Sequence, residues 1–537
     1  MTAADIRGPR LSLALGFVLL LFAAGVFVFA PAQNVWIDES TQLSGMTLPV
    51  GQLIPWLTGK LALPLGTPPD RMPPLSYLVD HMAWLVFGST PIAFRLFHAA
   101  IVGGALLLLM TAMARRFNGR SALITGLVLA LSPKFIELAV EIRAYPFFTA
   151  ISCAQIALLL GGDVAAKPKR LALFVLLGLA SAYTHYFGVV ATSAYFVAVL
   201  ADTRRWRDAI QAVLAYGVMA LLWLGLIPFV TGATSISSAT EVAQTGVGAL
   251  AAYLFQLLGS AAQMVNPVAA ALYFGGAALL VLLGVLGLLM LLGRERLEAR
   301  YNVAFALALA LAAGVSVTVL AGFAIKGFNA LAPRYNLWAL PLLALLIGVA
   351  ADGLIGLPGK AARRARYGAL ALLAIGAIWA QAGFLGRAQW YIHGPSAALE
   401  ETIAKAGDNK AVVYVATGSP TWSWGYFPLY WRHRATLPQW LLTADGAHVV
   451  RIGIGGDPNG APQPLSALDS FSHLVVARID LKTYKDLRAV VASGGAMAAP
   501  ADLAPTLSQA GWQPAQAIAR PGFYTLTGQI YGHRPTP

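Results

Sequence analysis

Trp36, Ile37, Asp38 and Glu39 stand just beyond the first long apolar run of the chain, residues 11–30. Two adjacent carboxylates beside an aromatic, where a helix leaves lipid, can act as a general base, a metal ligand or an ion site at the bilayer surface. Other groups able to do chemistry sit at the edges of later apolar runs: Arg95; then Lys134, Glu137, Glu141, Arg143 and Tyr145. His185 and Tyr186 follow in a short turn, and Lys326, Arg334 and Tyr335 precede a late run. A carboxylate can deprotonate an acceptor hydroxyl, while guanidinium or ammonium groups neutralise a departing phosphate.

The elements that must position these groups are membrane helices. Of 537 residues, 58% are hydrophobic and only 11% charged, and single runs approach 20 apolar residues, so the chain reads as a polytopic α-helical membrane protein. The net charge of +14 does not point to nucleic acid, because the basic residues form short clusters between apolar runs, where they act as topology signals. The only cysteine, Cys153, lies inside an apolar run, which excludes an intramolecular disulfide and a cysteine-based zinc site.

Eleven crossings are expected: 11–30, 91–114, 121–140, 145–162, 171–184, 186–203, 209–228, 268–292, 301–322, 335–353 and 367–386. Arg7 and Arg10 hold the amino terminus inside; a signal peptide cleaved near Ala30, Pro31 and Ala32 is the alternative, and it leaves the later topology unchanged. With eleven crossings, the clusters around Arg115 to Arg120, Lys167 to Arg170, Arg204 to Arg207, Arg294 to Arg300 and Lys360 to Arg366 all fall inside. The segment 74–87 is apolar at Leu75, Leu78, Val79, Met82 and Leu85, with Ser76 and Asp80 opposite. At about 1.5 Å per residue it reaches roughly 21 Å, short of a ~30 Å hydrocarbon core, so it reads as interfacial. Segment 246–265 is also read as interfacial, since a crossing there would put the last two basic clusters outside.

The expected organisation is a transmembrane domain over 1–388, with outer loops at 31–90 and 229–267, and an extracytoplasmic α/β domain over 389–537. In the latter, strands are expected at 411–416, 448–454 and 473–479, a helix at 481–493 and a Gly/Pro-rich loop at 455–464. Gly453, Gly455, Gly456 and Pro458 do not make a dinucleotide fingerprint, and no Walker lysine motif occurs.

This topology gathers the unusual polar residues on one face, the outer membrane surface. Sugar transfer from a polyprenyl phosphate needs a base and phosphate-binding cations there, because the lipid tail stays in the membrane while the phosphosugar projects from it. Guanidinium groups can replace a metal when the leaving group is a phosphate monoester.

The strings VWIDES, RMPPLSYLVDHMAWLVFG, AFRLFHA, ALSPKFIELAVEIRAYPF, THYFG and PRYNLWALP, in this order, resemble the GT-C glycosyltransferases, in the protein O-mannosyltransferase and aminoarabinose (lipid A) transferase-like branch. The resemblance is strongest over 1–200, weaker to about 345 and thin beyond. It implies a GT-C-like fold and a catalytic base at Asp38, with Glu39 its neighbour. It implies substrate or phosphate binding by Arg95, by Glu141, Arg143 and Tyr145, and by Arg334 and Tyr335. One departure stands out: Met72 precedes Pro73 where many relatives carry His or Lys, and the nearest base is Arg71.

Each residue also has a plain structural reading. Asp38 and Glu39 can cap a helix or sit solvated, Arg95 can snorkel to headgroups, and Arg143 can pair with Glu137 or Glu141. Tyr145, His185, Tyr186 and Lys326 can be interface or packing groups, and Trp422, Trp424, Tyr426, Tyr430 and Trp431 can be core instead of a sugar-stacking surface. No cofactor is expected; a divalent metal at the acidic dyad stays open as an option without support in the sequence, and His185 has no second histidine or acid at ligand spacing. The expected function is an inverting transfer of a hexose or pentose from a polyprenyl-phosphate donor to an extracytoplasmic protein, lipid or polysaccharide, in a bacterial plasma (inner) membrane. The rival is a transporter or lipid flippase using the same charges as a translocation site, although no repeat symmetry or interrupted helix supports it.

Overall fold

The computed structural model describes residues 9–33, 35, 37–61, 70, 72–88, 90–233, 299–324, 335, 337–355, 394–415, 436–443, 445–452, 461–480, 502–520 and 525–533. Outside these residues lie the expected crossings 268–292 and 367–386, the segment 246–265, the helix 481–493, Lys326, Arg334 and the Trp422 to Trp431 aromatics. The chain divides into two compact units, one of Met1–Ala30, Arg71–Ser76 and Phe94–Phe384, the other of Pro31–Asp70, Tyr77–Ala93 and Leu385–Pro537.

The first unit is helical. It contains most of α1 (Pro9–Ala32) and α5 (Pro91–Arg116), then α6 (Gly119–Ala130), α7 (Pro133–Val140), α8 (Tyr145–Leu160), α9 (Pro168–Thr184) and α10 (Phe187–Asp202). There follow α11 (Trp206–Trp223), α12 (Ile227–Ala233), α13 (Ala299–Ala324) and α14 (Ala339–Ile355). Among the described residues, three helical stretches, Pro9–Pro31, Pro91–Arg116 and Trp206–Thr231, are each long and apolar enough to cross a bilayer. Their outward faces are as apolar as their inward ones. On α1, Val18, Phe22 and Val26 are buried while Leu13, Leu20 and Phe27 are 65–75% exposed, the pattern of helices whose solvent is lipid.

One expected crossing is not straight. The run 121–140 breaks at Leu131 and Ser132, and its two helices are bent by 70°. Pro133 has no N–H to continue the ladder, and Ser132 starts a new helix by accepting the Phe135 N–H on its hydroxyl at 3.3 Å. Similarly, the run through 209–228 passes through a 3-10 turn, Leu224–Leu226, just before Pro228. Small residues set the closest helix contacts. A Cβ on Gly314 of α13 would lie 2.2 Å from the Trp338 ring and 2.9 Å from Ala194 on α10, so α10 and α13 approach at glycine.

The second unit begins with short helices, α2 (Ile37–Met46), α3 (Val50–Leu57) and nearly all of α4 (Leu75–Phe87). α4 is a 13-residue helix, and its burial shows which of its stripes faces the protein. Ser76 and Asp80 are fully buried, whereas Met82, Leu85 and Val86 are 62–75% exposed, so the polar stripe faces protein and the apolar stripe faces out. That inversion suits an apolar solvent.

The same unit contains α15 (Gly394–Lys405) and a seven-stranded sheet: β1 (Lys410–Val415), β2 (Gln439–Leu442), β3 (His448–Arg451), β4 (Gln463–Pro464), β5 (His473–Asp480), β6 (Trp512–Arg520) and β7 (Thr525–His533). A short helix, α16 (Pro505–Gln509), precedes β6. The strand order is β4-β3-β2-β1-β5-β7-β6. β1 pairs parallel to β2 and β5, and its run Ala411 to Tyr414 is buried on both faces, as a central parallel strand requires. The other pairs are antiparallel. Ala411, Val413, Leu474, Val476, Leu507 and Trp512 form the core on one face. On β7, Gly528 leaves room for Thr402 of α15, whose hydroxyl would lie 2.3 Å from a Cβ there.

Candidate active site

The turn from α7 to α8 carries Glu141, Arg143 and Tyr145, and α5 holds it in place. Arg95, 2% exposed in the first turns of α5, donates from Nη1 to the Val140 carbonyl at 3.0 Å. Its positive charge thus lies at the negative end of α7. His98, one turn further along α5 and fully buried, bonds through Nδ1 to the Glu141 carbonyl at 2.9 Å. A carbonyl only accepts, so that nitrogen carries the proton. Beyond this anchor the Arg143 N–H donates to the Glu141 carbonyl at 3.0 Å, and Tyr145 and Pro146 open α8, where proline suits the first turn. Glu141, Arg143 and Tyr145 are all buried.

The second element is the tight turn between α9 and α10. The His185 N–H donates to the Ser181 carbonyl at 3.0 Å, and Gly188 lies so close to α9 that a Cβ would be 2.2 Å from the Ser181 carbonyl carbon and oxygen. Only glycine fits at that crossing. The Phe187 N–H donates to His185 Nδ1 at 3.2 Å, so this nitrogen presents its lone pair and the neutral ring carries its proton on Nε2.

Aromatic rings surround this imidazole. Phe148 stacks on it at 5.2 Å and 14°, Tyr145 lies at 5.3 Å, and Phe187 and Tyr335 each lie at 5.9 Å. Phe187 and Tyr335 stack in turn at 5.2 Å. Tyr145, His185 and Tyr335, singled out in the sequence from three separate segments, therefore meet in one cluster. Tyr186 is half-buried in the same turn.

Asp38 and Glu39 belong to the other unit, in the first turn of α2, where the helix dipole favours carboxylates. Asp38 is half-buried and Glu39 is 1% exposed. One turn later Gln42 donates from Nε2 to Asp80 Oδ2 at 2.7 Å, in a fully buried bond to α4. His81 Nδ1 donates to the Met46 carbonyl at 2.7 Å, and Gly45 lets Trp56 and Tyr77 within 2.3 and 2.5 Å of where a Cβ would be. α2 is thus tied to α4 by side chains at both its middle and its end.

No family model and no curated protein matches the sequence. Solved structures are similar in fold. The chain is similar to ArnT from Cupriavidus metallidurans bound to undecaprenyl phosphate, at 14% identity and a TM-score of 0.49, over 96% of this chain and 98% of that one. It is also similar to the Archaeoglobus fulgidus oligosaccharyltransferase in the apo form, at 13% identity and a TM-score of 0.45, over 78% of this chain and 63% of that one. A third is AglB of the same organism, in complex with an inhibitory peptide and a dolichol-phosphate, at 13% identity and a TM-score of 0.43, over 93% and 72% of the two chains.

The sequence reading missed four groups. His98 was legible only as a histidine in an apolar helix three residues after Arg95, and Phe148 and Phe187 look like ordinary core aromatics. Asp80 stood out as the polar residue of α4, but its partner Gln42 did not. Lys134 and Glu137 form a 3.0 Å pair, each about a third exposed, within one turn of α7. Among the described residues, no group of three or more His, Cys, Asp or Glu could hold a metal ion.

Proposed function

We propose that this protein is an integral-membrane glycosyltransferase that moves a sugar from a polyprenyl monophosphate to an acceptor at the extracytoplasmic surface, with inversion. Asp38 takes the acceptor proton, and Glu39 assists it from the same helical turn. Arg143, Arg334 and Lys326 compensate the phosphate, Arg95 holds the turn that carries Glu141 and Arg143, and the rings of Tyr145, His185 and Tyr335 bound the place of the sugar phosphate, with Tyr186 at the rim. The observation that carries the reading is the convergence of Tyr145 and Tyr335 on the His185 imidazole, whose Nδ1 accepts the Phe187 N–H and leaves Nε2 as the donor. The ordered sequence resemblance supports the same chemistry. The carboxy-terminal sheet domain is extracytoplasmic in this reading.

The test uses lipid-linked sugar and the purified chain in detergent. Asp38→Asn preserves shape and should fold, yet lose transfer by about 10²-fold or more, the scale of a lost general base. Wild-type turnover by that variant overturns the assignment. Mass spectrometry of lipid-linked sugars and surface glycans after deletion names the donor that accumulates and the product that disappears.

A further inference from the structure

A second site lies at the other end of the helical unit. α8 starts at Tyr145 and α10 at Phe187, both in the His185 cluster, and each has 16 residues. At 1.5 Å per residue their far ends are about 24 Å away. There the structure holds a cavity of about 340 Å³. Its walls are apolar, from Leu159 of α8, Val199 of α10, and Val303 and Leu307 of α13. Its mouth is charged, lined by Asp163, Lys167, Asp202, Arg204, Arg205 and Asp208.

The mouth carries three cations and three carboxylates. Lys167 pairs with Asp163 at 3.2 Å across the turn between α8 and α9, and Asp202 Oδ2 accepts the Asp163 N–H at 3.3 Å, which fixes the loop after α8 to the end of α10. Arg204 and Arg116 both interact with the Asp202 carboxylate, so cations and carboxylates are interleaved at the end of α10. A simple anion would meet the carboxylates and a simple cation the guanidiniums, each at an electrostatic cost. A zwitterion with its two charges a few bonds apart satisfies both sets. The apolar walls extend the same polarity inward, as an amphiphile requires.

We propose that this cavity binds a zwitterionic phospholipid whose headgroup bears a phosphodiester and a primary ammonium. The phosphate oxygens accept from Arg204 and Arg205, the ammonium donates to Asp202 and Asp208, and the first acyl methylenes lie along Val199, Val303 and Leu307. A trimethylammonium headgroup has no N–H to donate to the carboxylates, and a glycerol headgroup has no cation, so both are disfavoured. This site is remote from the His185 cluster and does not depend on what that cluster does.

The test incubates the delipidated full-length protein with equimolar phosphatidylethanolamine, phosphatidylcholine and phosphatidylglycerol in mixed micelles and reads the retained lipid by native mass spectrometry. The wild type should retain phosphatidylethanolamine about tenfold over each of the others. The double variant Asp202→Asn with Asp208→Asn should bring phosphatidylethanolamine and phosphatidylcholine to equal retention. Arg204→Gln with Arg205→Gln should lower retention of all three. Equal retention of the three lipids by the wild type, or preference for phosphatidylglycerol, overturns the proposal without any variant having to fold. So does an unchanged preference in the aspartate variant.

Discussion

Arg95 and Val140, 45 residues apart in sequence, are joined by a buried 3.0 Å hydrogen bond from guanidinium to carbonyl. An arginine at the start of a membrane helix is usually read as a headgroup anchor, but this one points inward and closes the end of α7. The bond places the following residues, Glu141, Arg143 and Tyr145, relative to α5.

Replacing Arg95 by methionine keeps much of the buried stem and removes the donor to Val140. An unpaired buried carbonyl costs roughly 1–3 kcal/mol, so the thermal midpoint of the variant in detergent should fall. The Glu141 to Tyr145 turn should also loosen, which hydrogen exchange of the Arg143 amide reports, since that N–H is bonded to the Glu141 carbonyl. An unchanged midpoint and unchanged protection of Arg143 would show that the bond does not hold the turn.

Gly188 and Gly217 form a matched pair for testing the tight turn at His185. A methyl group at Gly188 would meet the backbone of Ser181 at 2.2 Å, and backbone cannot swing aside, whereas Gly217 on α11 has nothing within 4 Å. Gly188→Ala should therefore destabilise by about 1–3 kcal/mol or more, the range of overpacking. Gly217→Ala should be neutral or stabilising by about 0.5–1 kcal/mol through helix propensity. Thermal unfolding of both in one detergent checks this, and equal midpoints would contradict the close crossing of α9 and α10.

Much of this was legible in the sequence because membrane helices announce themselves by length and apolarity. The runs at 91–114, 145–162, 186–203 and 301–322 all appear as helices within a few residues of the expected ends. The bend at Ser132 was less visible, since hydropathy is blind to a proline that starts a new helix inside an apolar run. In the sheet domain β1, β3 and β5 were expected, but β6 was not, because its sequence WQPAQAIAR carries one β-branched residue and a proline. The residues of the candidate site stood out in the sequence as types and order. Their geometry did not, because the hydrogen bonds that define it run from side chains to backbone carbonyls and amides, as at Val140, Glu141 and Phe187, and such partners leave no mark on residue identity.

The sheet domain should lose stability in acid through Asp502. Burial raises this carboxyl, but hydrogen bonds from Ser508 at 2.6 Å, from the Tyr531 hydroxyl and from the Ala504 N–H at 3.0 Å outweigh it and hold it below the ordinary carboxylate range. Burial and the adjacent carboxylate push the Tyr531 phenol up, so it remains a neutral donor. A carboxyl lowered by folding stabilises fully above its unfolded value, near 3.9, and that stabilisation is lost as pH falls through the folded value. Below about pH 4, wild-type stability should therefore drop more steeply than that of Asp502→Asn, which has no proton to take up there. Denaturation midpoints of the two full-length proteins at several pH values make the comparison, and parallel curves would remove Asp502 as the cause.

Asp80 gives the sharpest test of how the acidic dyad is held. Its carboxylate accepts from Gln42, which lies one turn beyond Asp38 and Glu39 on α2, so the bond sets how that turn sits on α4. Asp80→Asn keeps an oxygen able to accept from Gln42, whereas Asp80→Leu leaves the buried amide without that acceptor at a cost of roughly 1–3 kcal/mol. If Asp38 is the base and α2 must present it, transfer should survive largely intact in Asp80→Asn and fall about tenfold or more in Asp80→Leu, mainly in kcat. Gln42→Leu in the Asp80→Leu background removes both polar partners together and should recover part of the lost stability. It should not recover the rate, because the register between α2 and α4 is still unset. Equal kcat in the asparagine and leucine variants would mean that the other ties of α2, such as the bond from His81 to the Met46 carbonyl, suffice to position it, and that Asp80 has no part in presenting Asp38.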